Sequence, residues 1–386
     1  MQLTITPRGL TSVRDAAAAA SRPIRVSDFG EIESLRTVSR YGPGFGGWDT
    51  ARVVVRAAGR WFPRRARPGD HAVVTVGGVN GFVGLLSEAQ PLGGGRLAFH
   101  LKGYGRKLDD FPALFATSGA LAATTQLVGG NLSTTFAAWE YAVTQGLPIT
   151  QIGGGTLPTG SVSVGAPAGN PTLAEILTAH LMLVGKRWKV LGRSLIIGAD
   201  PTTVRWRVTA PDDLVAATDT RVVTTVRARY TSSGGVAIVT ATDPTLAAVL
   251  DGRAATVDLR GLGTLTAPQA QARADALLEL DKAVPVFDGS IRLTPGSGIT
   301  TRNGTPVRNL ASITAGDLVK IDGLRASQRA TIAGTAADTV VIGRAVYDWS
   351  AEAGQSLTIT PLGGRDRSLA EQLTPIRRES FAALSF

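Results

Sequence analysis

The segment YGPGFGGWD sets Gly42, Gly44 and Gly47 at the G-x-G-x-x-G spacing that lets a backbone approach a pyrophosphate. That chemistry needs a helix N-terminus behind the glycines. Here Trp48 to Ala57 is strand-like and Pro43 removes one backbone donor, so the glycines read as a structural loop between strands. The three histidines, His71, His100 and His180, have no second histidine or carboxylate at ligand-like spacing, and the pattern suggests neither a metal site nor any other cofactor. His180 falls on an apolar helix face and reads as a packed, hydrogen-bonded side chain. No G-x-S-x-G element occurs. Asp109-Asp110 and Asp212-Asp213 bring carboxylates together, as glycoside hydrolysis requires, but neighbours on a strand point to opposite sides. Beside Pro112 and Pro211 they read as solvated turn residues. No catalytic constellation emerges, and the chain reads as a non-enzyme.

The densest positive cluster is RWFPRRARPGD, where Arg60, Arg64, Arg65 and Arg67 flank Trp61 and Phe62. Arginine beside aromatic rings can grip phosphates and stack on bases. No helix-turn-helix, zinc-finger or RNA-binding signature accompanies it, so the reading is an inter-strand loop or protein interface without specific nucleic-acid binding. Trp61, Phe62, Arg64 and Arg65 are the candidate interface residues, with Phe381 and Phe386 of the apolar C-terminal FAALSF added to them.

These residues must be held by short strands. From Glu33 to Lys102 the runs ESLRTVSR, TARVVVRA, HAVVTV, GFVGLL and RLAFHLK are punctuated by Gly, Pro and Asn, the rhythm of a β-meander. Asn80-Gly81 can adopt the positive φ angles that a tight hairpin requires, and Gly93, Gly94 and Gly95 break the chain before the next strand. After a Gly/Pro-rich loop, Asn170-Pro171 signals a helix with Leu173, Ile176, Leu177, His180 and Leu181 on one face. KRWKVLGRSLIIG then reads as a hairpin about Gly192. DTRVVTTVRARYTSSGGVAIVTATD repeats the hairpin pattern with its turn at Ser232 to Gly235. Thr266 and Gln269 have capping-box spacing before a helix whose Ala270, Ala274, Leu277 and Leu278 form an apolar face. LVKIDG, ATIAG, TVVIGRAVY and SLTITPL alternate with turns, and Ser368 and Glu371 are spaced to cap a terminal helix.

The expected fold class is mainly β with α+β insertions. The expected division is a first tube-like β-sandwich or barrel at 1–110, an inserted α+β domain at 111–209 and a second tube-like β-domain with one helix at 210–296. A small β-barrel-like domain at 297–365 and a terminal helix or tail at 366–386 complete it. A chain of 386 residues suits several domains. Charged residues are 18%, below the roughly 25% of ordinary soluble domains, which suggests a surface that expects protein neighbours. Lys and Arg number 40 against 30 Asp and Glu, a net +10 that favours acidic partners. Absence of cysteine excludes disulfides and thiolate metal sites. The start MQLTITPRGL lacks the features of a signal peptide, and no apolar run reaches about 18 residues, so stable membrane insertion is not expected.

In this order the features resemble the hub or minor tail proteins at the tail tip of long-tailed bacteriophages. The likeness rests on SRYGPGFGGWDTARVVVRA with RPGDHAVVTVGGVNGFVGLLSEA and HLKGYGRKLDD, on TLAEILTAHLMLVGKRWKVLGRSLIIG, on TTVRARYTSSGGVAIVTATD with QAQARADALLEL, and on ITAGDLVKIDG. The resemblance implies a structural virion protein of the tail-tip or baseplate hub, made in the bacterial host cytoplasm. It implies a homotrimer that continues the six-fold tail tube as a pseudo-hexamer around the channel for tape measure and DNA. Its implied partners are distal tail and tail-tube proteins, the tape-measure protein and other tail-tip proteins. The alternative is a carbohydrate- or host-surface-binding tail-tip β-protein, which needs a groove of aromatic residues.

Overall fold

The computed structural model describes residues 1–6, 24–26, 30–42, 45–57, 66–110, 151–153, 186–198, 200–211, 215–216, 223–249, 254–260, 264–281, 287–288, 290–325, 330–332 and 335–362, with 172, 174, 177 and 181 as single positions. The chain is mainly β, in several sheets, and the described strands form no closed barrel.

The N-terminal strands are β1 (Gln2–Thr6), β2 (Ile24–Arg25), β3 (Gly30–Gly42), β4 (Phe45–Ala57), β5 (His71–Val76), β6 (Val79–Gly93) and β7 (Arg96–Gly103), joined antiparallel in the order β3-β4-β7-β6-β5-β1-β2. Alternation explains them: Leu3 and Ile5 of β1 and Ala72, Val74 and Val76 of β5 are buried while the residues between them are less so. Phe82, Leu86, Phe99 and Leu101 complete this side of the core. The β5–β6 turn differs from expectation. It is made by Gly77 and Gly78, both at positive φ, between the paired Val76 and Val79. Asn80 and Gly81 lie inside β6, because Val79 and Phe82 must keep their places in the sheet and two glycines tolerate the turn's backbone better than Asn-Gly.

Next come β8 (Gln151–Gly153), β9 (Arg187–Leu191), β10 (Ser194–Gly198) and β11 (Val204–Thr209). The β9–β10 hairpin turns at Gly192, φ +59°, as its sequence predicts. Leu177 and Leu181 of the expected apolar face are helical and buried, as is Ala174, while Leu173, Ile176 and His180 lie outside the described residues.

After β12 (Val215–Ala216), a compact module forms from β13 (Thr225–Ser232), β14 (Gly235–Thr242), β15 (Ala254–Asp258) and helix α1 (Ala267–Asp281). Its sheet has the order β14-β13-β15, and the β13–β14 turn falls between Ser232 and Gly235 as expected. The capping box forms reciprocally: Thr266 N–H donates to Gln269 Oε1 at 2.9 Å and Gln269 N–H to Thr266 Oγ1 at 3.4 Å. Ala270, Ala274, Leu277 and Leu278 then pack on Val226, Ala228, Tyr230 and Val257, a core separate from that of the main sheet.

The remaining strands are β16 (Phe287–Asp288), β17 (Ile291–Leu293), β18 (Thr300–Thr301), β19 (Leu318–Asp322), β20 (Ala330–Ile332), β21 (Thr335–Ala337), β22 (Thr339–Ser350) and β23 (Gly354–Pro361). Strand pairing crosses the expected segments here. β22 pairs with β3 from Arg344 opposite Arg40 to Ser350 opposite Ser34, so the segment expected as a small barrel of its own extends the N-terminal sheet. β11, expected at the end of an inserted domain, pairs with β18 and β19 of that segment. Trp206, Ile321, Ile342 and Tyr347 share one apolar core with Leu35 and Val53. The physical reason is that β3 and β22 are long strands whose hydrogen-bonding edges are satisfied across about three hundred residues of chain.

Candidate assembly surfaces

The glycine motif serves contact between backbones. A Cβ on Gly46 would stand 2.1 Å from the Trp188 carbonyl oxygen, and one on Gly47 would stand 2.0 Å from that of Val190. Gly47, at φ +108°, pairs with Val190, so β9 lies directly across the start of β4. Trp48 onward lies in β4, the strand expected there. The cations that follow settle on the Tyr41 ring: Arg187 and Lys189 each stand 5.9 Å from its centroid. Arg187 Nε also donates to Asp200 Oδ1 at 2.8 Å. Burial pushes the Lys189 ammonium down, Asp317 pulls it back and Arg205 adds to the depression.

At the other end of that hairpin Arg193 lies 5.8 Å from the Tyr104 ring, and His71 Nδ1 and the Tyr104 hydroxyl share a 2.5 Å hydrogen bond. Burial first, then the charge of Arg193, lowers the His71 pKa from its ordinary 6.5. A depressed imidazole adds no penalty while neutral in both states. As the pH falls below about 6.5 the unfolded chain takes up the proton more readily, and stability drops. Melting temperatures measured from about pH 7 down to about pH 5 are expected to fall for the wild type and to fall less for His71→Gln. Equal slopes would remove His71 as the cause. Asp258 and Asp322, held low chiefly by hydrogen bonds from Arg260 and Arg207, lose their contribution only below the ordinary carboxylate value of 3.8, outside this window.

Two buried carboxylates organise arginines nearer the surface. Asp49, 2% exposed, accepts from Arg40 Nε at 2.6 Å and Arg106 Nε at 2.7 Å. Asp317, 5% exposed, accepts from Arg205 Nη1 at 3.1 Å, Trp206 Nε1 at 2.9 Å and the Thr314 N–H at 3.2 Å. Arg205 stacks 5.0 Å from the centroid of Trp206. Beside it an open groove of about 650 Å³ is lined by Thr203, Arg205, Trp206, Thr301, Arg302 and Asn303.

The three-stranded module presents the most exposed aliphatic side chains among the described residues, Ile238 at 65% and Val236 at 54%. Both stand on β14, on the sheet face opposite α1. Arg227 and Arg229 of β13 are exposed on that face, Arg229 directly across from Ile238. The covered face holds Ala237, Val239 and Ala241 against α1. Arg273 of α1 is buried there, and desolvation pushes it down to about 10.

The sequence-predicted interface residues Trp61, Phe62, Arg64, Arg65, Phe381 and Phe386 all lie outside the described residues, as do Asp212 and Asp213. Asp109 is exposed and 3.5 Å from Arg106. His100 is half-buried on β7, opposite Arg52 and Glu88. Trp48, Trp188 and Trp206 are largely buried, Trp206 also borders the groove beside Arg205, and Trp349 is half-buried. Sequence reading passed over Val236 and Ile238. Their signal was present: GVAIVTAT carries no charge on a strand that ends a sheet. No described helix is long and apolar enough to cross a membrane.

No protein-family model and no curated protein matches the sequence. Solved structures do match in shape. A tail protein from Neisseria meningitidis MC58 superposes with TM-score 0.56 at 15% identity, over 92% of this chain and 94% of that one. The 43 kDa tail protein of prophage MuSo2 from Shewanella oneidensis gives 0.55 at 12%, over 94% and 98%. Prophage tail protein gp18 from Listeria monocytogenes EGD-e gives 0.57 at 11%, over 99% and 100%. Through nearly its whole length, therefore, this chain has the fold of prophage tail proteins.

Proposed function

We propose that the chain is a structural virion protein of a phage tail, and within the tail the hub that joins the tube to the tip. The observation that carries this reading is the likeness to three tail proteins over 92 to 99% of the chain. The hub reading adds a homotrimeric ring around the channel for tape measure and DNA, in contact with tail-tube, distal tail and other tail-tip proteins. A ring suits this fold because repeated heterologous contacts close a cycle. Native mass spectrometry and electron microscopy of the purified chain are expected to give a ring-shaped trimer. A chain that stays monomeric at high concentration would sink the hub reading. The net charge of +10 favours acidic protein neighbours, and no steep salt-dependent DNA affinity is expected from a surface that must let DNA slide past.

A further inference from the structure

The β13–β15 module has two outer faces of opposite character. One is the open sheet face, with Arg227 and Arg229 on the central strand and Val236 and Ile238 beside them on β14. The other is the outer stripe of α1. With Ala270, Ala274 and Leu277 turned to the sheet, Pro268, Ala272, Asp275 and Glu279 follow one another at three-to-four spacing on the opposite side, and all four are exposed. The helix stripe is thus acidic at Asp275 and Glu279 and small at Ala272. The sheet face is basic and aliphatic. Asp258 on β15 stands across from Arg229 on the same face but is bound by Arg260, so the three arginines there exceed the one carboxylate. A protrusion of Val236 and Ile238 needs small residues opposite it, and the surplus positive charge favours carboxylates.

We infer that the open sheet face of this module is covered by the outer stripe of α1 from a second copy of the chain. The inference rests on the ring proposed above and assigns one of its contacts. The two faces lie on opposite sides of one two-layer body, so the contact is head-to-tail: each copy offers its sheet to one neighbour and its helix to the other. Such a heterologous contact closes a ring when the rotation between copies allows. Opposite charges set the register and oppose the alternative in which two basic sheet faces meet. Ala272 lets the helix approach closely, and the aliphatic pair leaves water on contact.

The chain contains no cysteine, which gives a clean cross-linking test. In Ile238→Cys/Ala272→Cys the two thiols of one copy lie on opposite outer faces, separated by more than about 10 Å. That exceeds the roughly 7 Å Cα reach of a disulfide, so only neighbouring copies can be joined. Oxidation is expected to give covalent dimers and trimers from the double variant and none from either single variant. Arg227→Glu/Arg229→Glu is expected to weaken assembly about tenfold or more. Reversing Asp275→Lys/Glu279→Lys in the same chain is expected to restore it, a rescue that a folding defect would not produce. A wild-type monomer would overturn both the ring and this contact. A wild-type ring whose double-cysteine form gives no cross-link, or cross-links through Ile238→Cys alone, would leave the ring standing and overturn this contact.

Discussion

Replacing Gly103 by alanine is expected to destabilise the protein by about 3 kcal/mol or more. A Cβ at that position would stand 1.7 Å from the Trp48 carbonyl oxygen and 2.5 Å from its carbonyl carbon. These are backbone atoms within β4, so no side-chain rotation relieves the overlap. β4 and β7 are hydrogen-bonded from Thr50 opposite Lys102 to Arg56 opposite Arg96, and the methyl would force them apart at one end. A Cβ on Gly84, which pairs with Gly103, would likewise stand 2.2 Å from the Lys102 carbonyl oxygen, so backbones approach closely on both sides of β7 at this point. Gly198→Ala is the control: a Cβ there meets nothing within 4 Å, and its expected effect is within about 0.5 kcal/mol. Urea unfolding of the two variants beside the wild type compares them directly. Equal midpoints for Gly103→Ala and Gly198→Ala would show that the sheet relaxes around the methyl.

Asp317→Ala is expected to cost about 3 kcal/mol. The side chain is 5% exposed and accepts three hydrogen bonds, from Arg205, Trp206 and the Thr314 N–H. Its loss strands the Trp206 indole N–H in the main core and releases the Thr314 turn that leads into β19. Arg205 is half-exposed and recovers water, which keeps the loss below that of a fully buried ion pair. Asp317→Asn keeps an acceptor oxygen and is expected to lose about 1–2 kcal/mol, since the charge-assisted part alone goes. In a double-mutant cycle, Trp206→Phe should reduce the effect of Asp317→Ala, because the orphaned donor is gone. Strict additivity would mean that the indole bond contributes little.

Much of the local structure was legible in the residues. The Gly192 and Ser232–Gly235 turns, the Thr266–Gln269 capping box and the apolar face of α1 all depend on neighbours within a few positions, where propensity and periodicity act. The Asn80-Gly81 turn misled, since Gly77-Gly78 meets the same backbone demand and the sheet's register chose between them. The glycines of YGPGFGGWD were legible as structural, but their partner was not: nothing in that segment says that Val190, far along the chain, will lie across Gly47. Likewise Tyr41 carries no local sign of the two cations it receives from β9.

Strand partners cross the expected segment limits for a related reason. Composition and turn signals divide a chain into runs of strands, and they are silent about which run completes which sheet. β3 finds its second neighbour in β22, and β11 finds β19, through backbone groups that every residue possesses. Trp61 and Arg64 stand out in the sequence by the density of aromatic and basic residues around them. Val236 and Ile238 become notable only when β14 ends its sheet and α1 covers the opposite face.

By itself the sequence determined a mainly β chain, its Gly192 and Ser232–Gly235 turns and the helix packed on the second sheet, because alternation, turn chemistry and capping act over a few residues. Only the tertiary structure decided that the first and last strands share one core, that Asp317 and Asp49 gather arginines from separate elements, and which side chains remain uncovered. Strand pairing joins chemically uniform backbone edges, so partners distant in the chain are selected by the packing of the whole core and leave no mark in either segment alone.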